Sequence, residues 1–303
     1  MNIGLINGDK STFPNLALMK ISAYHKEKGD NVELANIFGK YDKCYASRVF
    51  SFSTENNDLI DLFQPECGGT GFNVEKKLDP EIDAIKEPDY SIYPNSNFSI
   101  QYYSRGCIRN CPFCLVREKE GIIQPCEPMA LNPKGEYIEV LDNNFFANKE
   151  WKFAVEDLMK TKQPISLNGV DVRIITDEQA FTLSKLKLKK KIHIAWDDVN
   201  TNVLDGIETL IKHVKPYKIM CYILVGFNST IEEDLYRINK INEYGITPFV
   251  MPYRDIENNK EPSLYAKDIA RWCNMQAVRK SCKFEDYEPR RGFKCKSYFN
   301  VKL

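Results

Sequence analysis

The sequence predicts an α/β fold: a partial (β/α)6 barrel preceded by a small parallel-sheet domain and followed by a helical, basic tail. Three observations predict it. Short apolar runs alternate with amphipathic stretches from residue 2 to residue 251, which is the pattern of strands joined by crossover helices. Asp79-Pro80, Glu87-Pro88 and Tyr93-Pro94 punctuate one region of the chain and mark a linker there. Beyond it, six strand-like runs follow one another with helical patterns between most of them. The expected divisions are 1–90, 91–260 and 261–303.

In the first part, residues 2–8 read as a strand and Pro14 to Gly29 as a helix, with Leu16, Leu18, Met19, Ile21 and Ala23 as its apolar face. His25 lies on that helix and is expected to face solvent. Asn31 to Ile37 and Lys43 to Phe52 read as further strands, so the unit is Rossmann-like. Gly68-Gly-Thr-Gly71 follows no clear strand and lacks dinucleotide spacing, so it reads as a tight turn.

In the second part the strands are Phe98 to Tyr103, Glu136 to Leu141, Ile165 to Ile175, Lys191 to Trp196, Lys218 to Gly226 and Ile246 to Met251. Helices fill the gaps. Glu150 to Lys162 places Trp151, Val155, Leu158 and Met159 on one side. Thr176 with Gln179 forms a capping box for a helix to about Leu186, and Val203 to Val214 is the next. Ser229 with Glu232, or Thr230 with Glu233, caps a helix that stops near Gly245. One helix, Leu264 to Arg279, opens the tail. A sheet built this way presents its ligand site at the carboxyl ends of its strands.

The first barrel strand runs directly into Ser104-Arg-Gly-Cys-Ile-Arg-Asn-Cys-Pro-Phe-Cys-Leu-Val-Arg117, a C-x3-C-x2-C array of Cys107, Cys111 and Cys114. Soft thiolates at this spacing suit an iron-sulfur cluster or zinc. A structural zinc site takes four ligands and would recruit Cys126. Three cysteines without a fourth leave one iron of a 4Fe-4S cluster open to a substrate or cofactor. Cys273, Cys282 and Cys295 are spaced too widely to read as a second cluster and read as core thiols.

At 303 residues and 43% hydrophobic composition the chain can build a large core. Its 42 basic residues balance 42 acidic ones, so no overall field attracts polyanions. A basic tail, from Arg279 to Lys296, is the local exception and reads as a solvated surface. No apolar run approaches bilayer length. With no basic leader at the start, a reducing, cytoplasmic setting and no membrane are expected.

The cysteine array, with Phe113 just before its last member and a βα series behind it, resembles the radical S-adenosylmethionine superfamily. The resemblance implies that the three cysteines hold a 4Fe-4S cluster and that S-adenosylmethionine chelates its fourth iron. An electron from a flavodoxin- or ferredoxin-like reductant then cleaves the cofactor to methionine and a 5′-deoxyadenosyl radical, which abstracts hydrogen from an unidentified substrate. Leu141-Asp-Asn-Asn-Phe-Phe146 is similar to the Asp-Asp-Asn-Phe segment of the subgroup carrying a cobalamin-binding-like domain, including methylthiotransferase relatives. Leu224-Val-Gly-Phe-Asn-Ser-Thr-Ile-Glu-Glu-Asp234 is similar to its Gly-Pro-Gly-Glu-Thr-Glu-Glu-Asp turn. The implied cofactor-binding residues are Phe113, Asp142, Asn144, Arg173, Asp197 and Leu224. Arg173, expected on the third strand, would grip a cofactor carboxylate.

There are departures. Ala195-Trp-Asp-Asp198 stands where the family has Gly-x-Glu-Ser, so Asp197 keeps the ribose-binding carboxylate but shortens it. The pattern Asp-x-His-x-x-Gly is absent, which argues against cobalamin. Only Cys44 and Cys67 precede the array, too few for a methylthiotransferase's second cluster. A nucleic-acid (tRNA or DNA) modifying enzyme and a non-catalytic metal-binding or redox-sensing module remain the alternatives.

Overall fold

The computed structural model describes residues 1–256, 258 and 260–300, so the tail is described as far as residue 300. The chain is mixed α/β with parallel sheets and, among the described residues, ten α-helices. It divides into two units, one of Met1–Asn143 with Lys152–Pro164 and one of Asn144–Trp151 with Ile165–Leu303. No helix of the described residues is long and apolar enough to cross a membrane.

The first unit begins with β1 (Asn2–Asn7), α1 (Leu16–Glu27), β2 (Asn31–Leu34), β3 (Lys43–Ser47), α2 (Asn57–Phe63) and β4 (Glu66–Gly68). The four strands form one sheet in the order β2-β1-β3-β4, every pair parallel. A parallel strand is covered on both faces, which is why Ile3, Leu5 and Ile6 form a nearly continuous apolar run. The Asn15 side chain caps α1 by accepting from the Leu18 N–H at 3.3 Å. Leu18, Met19 and Ile21 then bury against Ile3, Leu5 and Tyr45, about 1.5–3 kcal/mol for each large side chain.

Three expectations for this sheet are corrected. The strand expected over Lys43 to Phe52 stops at Ser47, because the Asp9 carboxylate takes the Val49 and Phe50 N–H groups, at 2.6 and 3.1 Å, that would have continued the ladder. The glycine segment does follow a strand, the short β4, and it is a turn: Gly69 has φ +94° and a Cβ there would lie 2.3 Å from the Arg48 carbonyl oxygen. His25 is buried rather than solvent-facing. Its Nδ1 lies 2.7 Å from Asp30 and its Nε2 lies 3.0 Å from the Tyr45 hydroxyl, so an apparently polar helix position carries an inward hydrogen-bond network.

The unit continues with α3 (Pro80–Asp83), β5 (Phe98–Gln101), β6 (Ser104–Arg105), α4 (Val116–Glu120), β7 (Gln124–Pro125) and β8 (Tyr137–Val140). β5 and β8 are parallel, and β6 and β7 pair antiparallel across the base of the cysteine loop. α5 (Trp151–Thr161) buries Ala154, Val155 and Leu158, whereas Met159 is 51% exposed, contrary to expectation. Met159 lies roughly a quarter turn from the centre of that face.

The second unit contains β9 (Ile165–Leu167), α6 (Asp177–Lys185), β10 (Ile192–Ala195), α7 (Leu204–Ile211), β11 (Ile219–Val225), α8 (Ile231–Glu243), β12 (Thr247–Pro252), α9 (Leu264–Asn274) and α10 (Gln276–Ser281). β10, β11 and β12 form a parallel sheet in that order. Along β11, Ile219, Cys221, Ile223 and Val225 are fully buried while Met220, Tyr222 and Leu224 stay partly exposed, so the sheet has one covered and one open face. Both capping boxes form, Thr176 with Gln179 and Thr230 with Glu233.

The strand expected over Ile165 to Ile175 ends at Leu167, and Val172–Ile174 is a 3-10 turn capped by Asp171. Arg173 therefore stands on that turn and not on a strand. The expected helix Leu264 to Arg279 breaks at Met275, whose backbone is extended, after the Asn274 side chain bonds the Val250 N–H at 2.7 Å and carbonyl at 3.0 Å. That amide pairs with β12 as a further strand residue would.

Candidate metal centre

The cysteine loop leaves β6 through Gly106, whose φ of +83° and close approach to the Gly121 and Ile122 carbonyls, 2.7 Å from a would-be Cβ, exclude any larger residue. Two carboxylates brace its ends. Glu120 accepts from Arg105 Nη2 at 2.5 Å, the Gly106 N–H at 2.8 Å and Asn143 Nδ2 at 2.8 Å. Asp142 accepts from the Tyr103 N–H at 2.9 Å and the Ser104 hydroxyl at 2.5 Å. Burial pushes the Asp142 carboxyl up to about 6, partly offset by those hydrogen bonds.

Inside the loop, the Cys107 N–H donates to the Gly121 carbonyl at 3.2 Å, Arg117 Nη1 donates to the Cys107 carbonyl at 3.0 Å, and the Cys114 N–H closes a turn on the Cys111 carbonyl at 3.0 Å. None of the three cysteines is in a disulfide; Cys107 and Cys111 are half-buried and Cys114 is exposed. Cys107 Sγ accepts the Arg109 N–H at 3.3 Å. Among the described residues no three His, Cys, Asp or Glu side chains are grouped closely enough to hold a metal ion. The donor chemistry of the loop nevertheless suits a thiolate-bound cluster: three sulfurs, no disulfide, and a backbone N–H directed at one of them. Phe113 is half-buried within the Cys111–Cys114 turn.

Cys126 behaves differently. Its thiol donates to the Tyr102 carbonyl at 3.5 Å, and burial pushes it up to about 11, so it is held as a protonated thiol. Cys273 and Cys295 are fully buried, and burial pushes them up to about 11 and about 12, as befits core thiols.

In the second unit, Asp171 organises a polar cluster after β9. It accepts from Arg173 Nε at 2.6 Å, Arg173 Nη2 at 3.0 Å and Asn144 Nδ2 at 3.2 Å. The guanidinium expected to meet a cofactor carboxylate thus already grips one of the chain's own. The carboxylate also fixes the Asn144 amide orientation, since a flipped amide would set oxygen against oxygen. Asn144 Oδ1 is left buried without a hydrogen-bond partner.

Asp197 follows β10 and is half-buried. Burial raises its pKa, opposed by Arg237, then Arg173, then a backbone hydrogen bond from Leu224. Leu224 is itself half-buried, and its carbonyl accepts from Arg237 Nη2 at 3.0 Å.

Sequence reasoning missed Glu120, Asp171 and Arg237. Glu120 and Asp171 each precede or end a turn, where a carboxylate finds backbone N–H groups, but nothing local names their distant partners. Arg237 reads as a surface charge on a helix and is fully buried. No family model matches the chain, and no curated protein matches it.

Proposed function

We propose that the chain is a radical S-adenosylmethionine enzyme whose Cys107, Cys111 and Cys114 hold a 4Fe-4S cluster. The observation that carries the reading is the braced loop: three cysteines in a C-x3-C-x2-C array, none in a disulfide, clamped at both ends by Glu120 and Asp142. A cluster held there supplies one-electron chemistry toward S-adenosylmethionine and, through it, hydrogen abstraction from a substrate. The six strands β5, β8, β9, β10, β11 and β12, each following a helix or loop return, are proposed to build a partial (β/α)6 barrel.

The chain's own groups are assigned as follows. Glu120 and Asp142 set the loop ends, and Phe113 shields the metal from water. Asp197 offers a carboxylate acceptor for ribose hydroxyls, and Leu224 holds that carboxylate through its backbone. Asn144 Oδ1, already desolvated, is ready to accept a donor of the cofactor's methionyl group. Arg173 keeps Asp171 and Asn144 in place.

The test is anaerobic reconstitution with iron and sulfide, followed by dithionite and S-adenosylmethionine. About four irons per chain and released 5′-deoxyadenosine are expected, both lost in Cys111→Ala. Zinc bound in place of iron, or full iron loading with neither cofactor binding nor cleavage, would instead indicate a structural or sensing metal module.

A further inference from the structure

Two lysine-rich segments converge on one edge of the β10–β11–β12 sheet. Lys185-Leu-Lys-Leu-Lys-Lys-Lys191 leads into β10, and Lys212-His-Val-Lys-Pro-Tyr-Lys218 leads into β11; neither contains an Asp or Glu. Because Ile192 pairs in register with Ile219, the ends of the two segments enter neighbouring strands about 4.8 Å apart. Lys191 turns inward, its Nζ donating to the Thr247 hydroxyl at 2.5 Å, while the other lysines of both segments are exposed. Lys187, Lys212, Lys215 and Lys218 form no ion pair among the described residues. Of the acids nearby, Asp177 is engaged with His213 at 2.8 Å, and Glu208, four residues before Lys212, accepts from the Tyr244 hydroxyl at 2.8 Å.

Lys187, Lys212, Lys215 and Lys218 are like charges without ion pairs among the described residues, and a folded chain gains nothing from crowding them. Two cations of the tail are used differently: Arg290 pairs with Asp268 at 2.7 Å and Arg279 bonds the Cys273 carbonyl, so both hold structure together. Exposed aromatics lie among the lysines. Tyr217 is 60% exposed between Lys215 and Lys218, and Phe181, 48% exposed, carries the Lys185 ammonium 4.5 Å above its ring.

We propose that this amino-terminal edge of the sheet is a docking surface for single-stranded nucleic acid. The lysines neutralise consecutive phosphates, and Tyr217 stacks a base. An acidic protein would satisfy the charges but would not require the exposed ring, so the aromatic decides between the two partners. The surface lies at the opposite end of these strands from Asp197 and Leu224 and works without a cluster, so it stands or falls independently of the reaction proposed above.

The test is fluorescence anisotropy of the full chain with fluorescein-labelled RNA and DNA single strands of about 16 nucleotides, titrated between about 50 and 200 mM salt. Saturable binding to both is expected, with log affinity falling by about 0.7 per engaged phosphate per unit of log salt. The triple variant Lys187→Glu, Lys215→Glu, Lys218→Glu should bind at least about tenfold more weakly with a slope shallower by about 2. Tyr217→Ala should lose about 5- to 150-fold with the slope unchanged, and Tyr217→Phe should restore binding. The proposal is overturned by absence of saturable binding at low salt, or by a triple variant that binds as the parent does. Polyglutamate of equal charge competing as well as RNA, with Tyr217→Ala neutral, would also overturn it and point to an acidic protein partner.

Discussion

Arg237 Nη2 meets Asp234 Oδ1 at 2.5 Å in the interior of the second unit, both side chains wholly excluded from solvent. Each nitrogen of the guanidinium and each oxygen of the carboxylate has a hydrogen-bond partner. Arg237 also reaches the Trp196 carbonyl at 2.8 Å and the Leu224 carbonyl at 3.0 Å, while Asp234 takes the Ser229 hydroxyl at 2.6 Å and the Tyr265 hydroxyl at 2.8 Å. One ion pair thus ties the carboxyl ends of β10 and β11 to α8 and α9. Removing either partner leaves a buried charge uncompensated, so Asp234→Ala and Arg237→Met should each cost about 3–5 kcal/mol in urea unfolding. The double variant should lose clearly less than the sum of the two, and strict additivity would deny the coupling.

Asp142 makes stability depend on pH in a defined direction. Its carboxyl is raised to about 6 in the folded chain, so the native state holds the proton more tightly than the unfolded one. The contribution is complete below the ordinary carboxylate range and is lost as pH rises through about 6. The parent should therefore lose about 2 kcal/mol relative to Asp142→Asn between pH 4 and pH 6. Unfolding curves of the two proteins that stay parallel across that range would contradict this.

Glu120 governs the order of the cysteine loop. Glu120→Ala strands the Arg105, Gly106 and Asn143 donors together, a loss of about 2 kcal/mol confined to the loop. Amide hydrogen exchange over residues 106–121 should accelerate about 30-fold while β1 and β11 keep their protection. Iron retained after reconstitution should fall with it. Uniform acceleration along the chain would mean that the brace acts globally.

Asp197 separates binding from stability. Its charge is held against a desolvation cost, so Asp197→Asn should unfold at the same temperature or higher. S-adenosylmethionine affinity, read by anaerobic calorimetry on cluster-loaded protein, should fall about tenfold or more with the loss of a charged hydrogen bond. Unchanged affinity would remove Asp197 from the cofactor site.

What was legible in the sequence was local. Thr176 and Thr230 announce their helices because a capping box is a contact over three residues. The strands from Phe98 to Pro252 show as apolar runs because parallel strands bury at least one full face. What escaped were side chains whose partners are distant in the chain. His25 answers to Tyr45, and Arg237 to Trp196 and Leu224. Asn274 answers to Val250. Arg173 was misplaced for the opposite reason: Asp171, two residues away, curls the chain into a turn that an apolar run of Val and Ile conceals.

The braces of the cysteine loop have a modular consequence. Gly106, Glu120 and Gly121 frame it, and Asp142 and Asn143 approach from β8, so these anchoring groups lie at its rim or outside it. The rim is thus built apart from the ligand turn that it carries. A differently spaced ligand array grafted between the same two rims would inherit that footing.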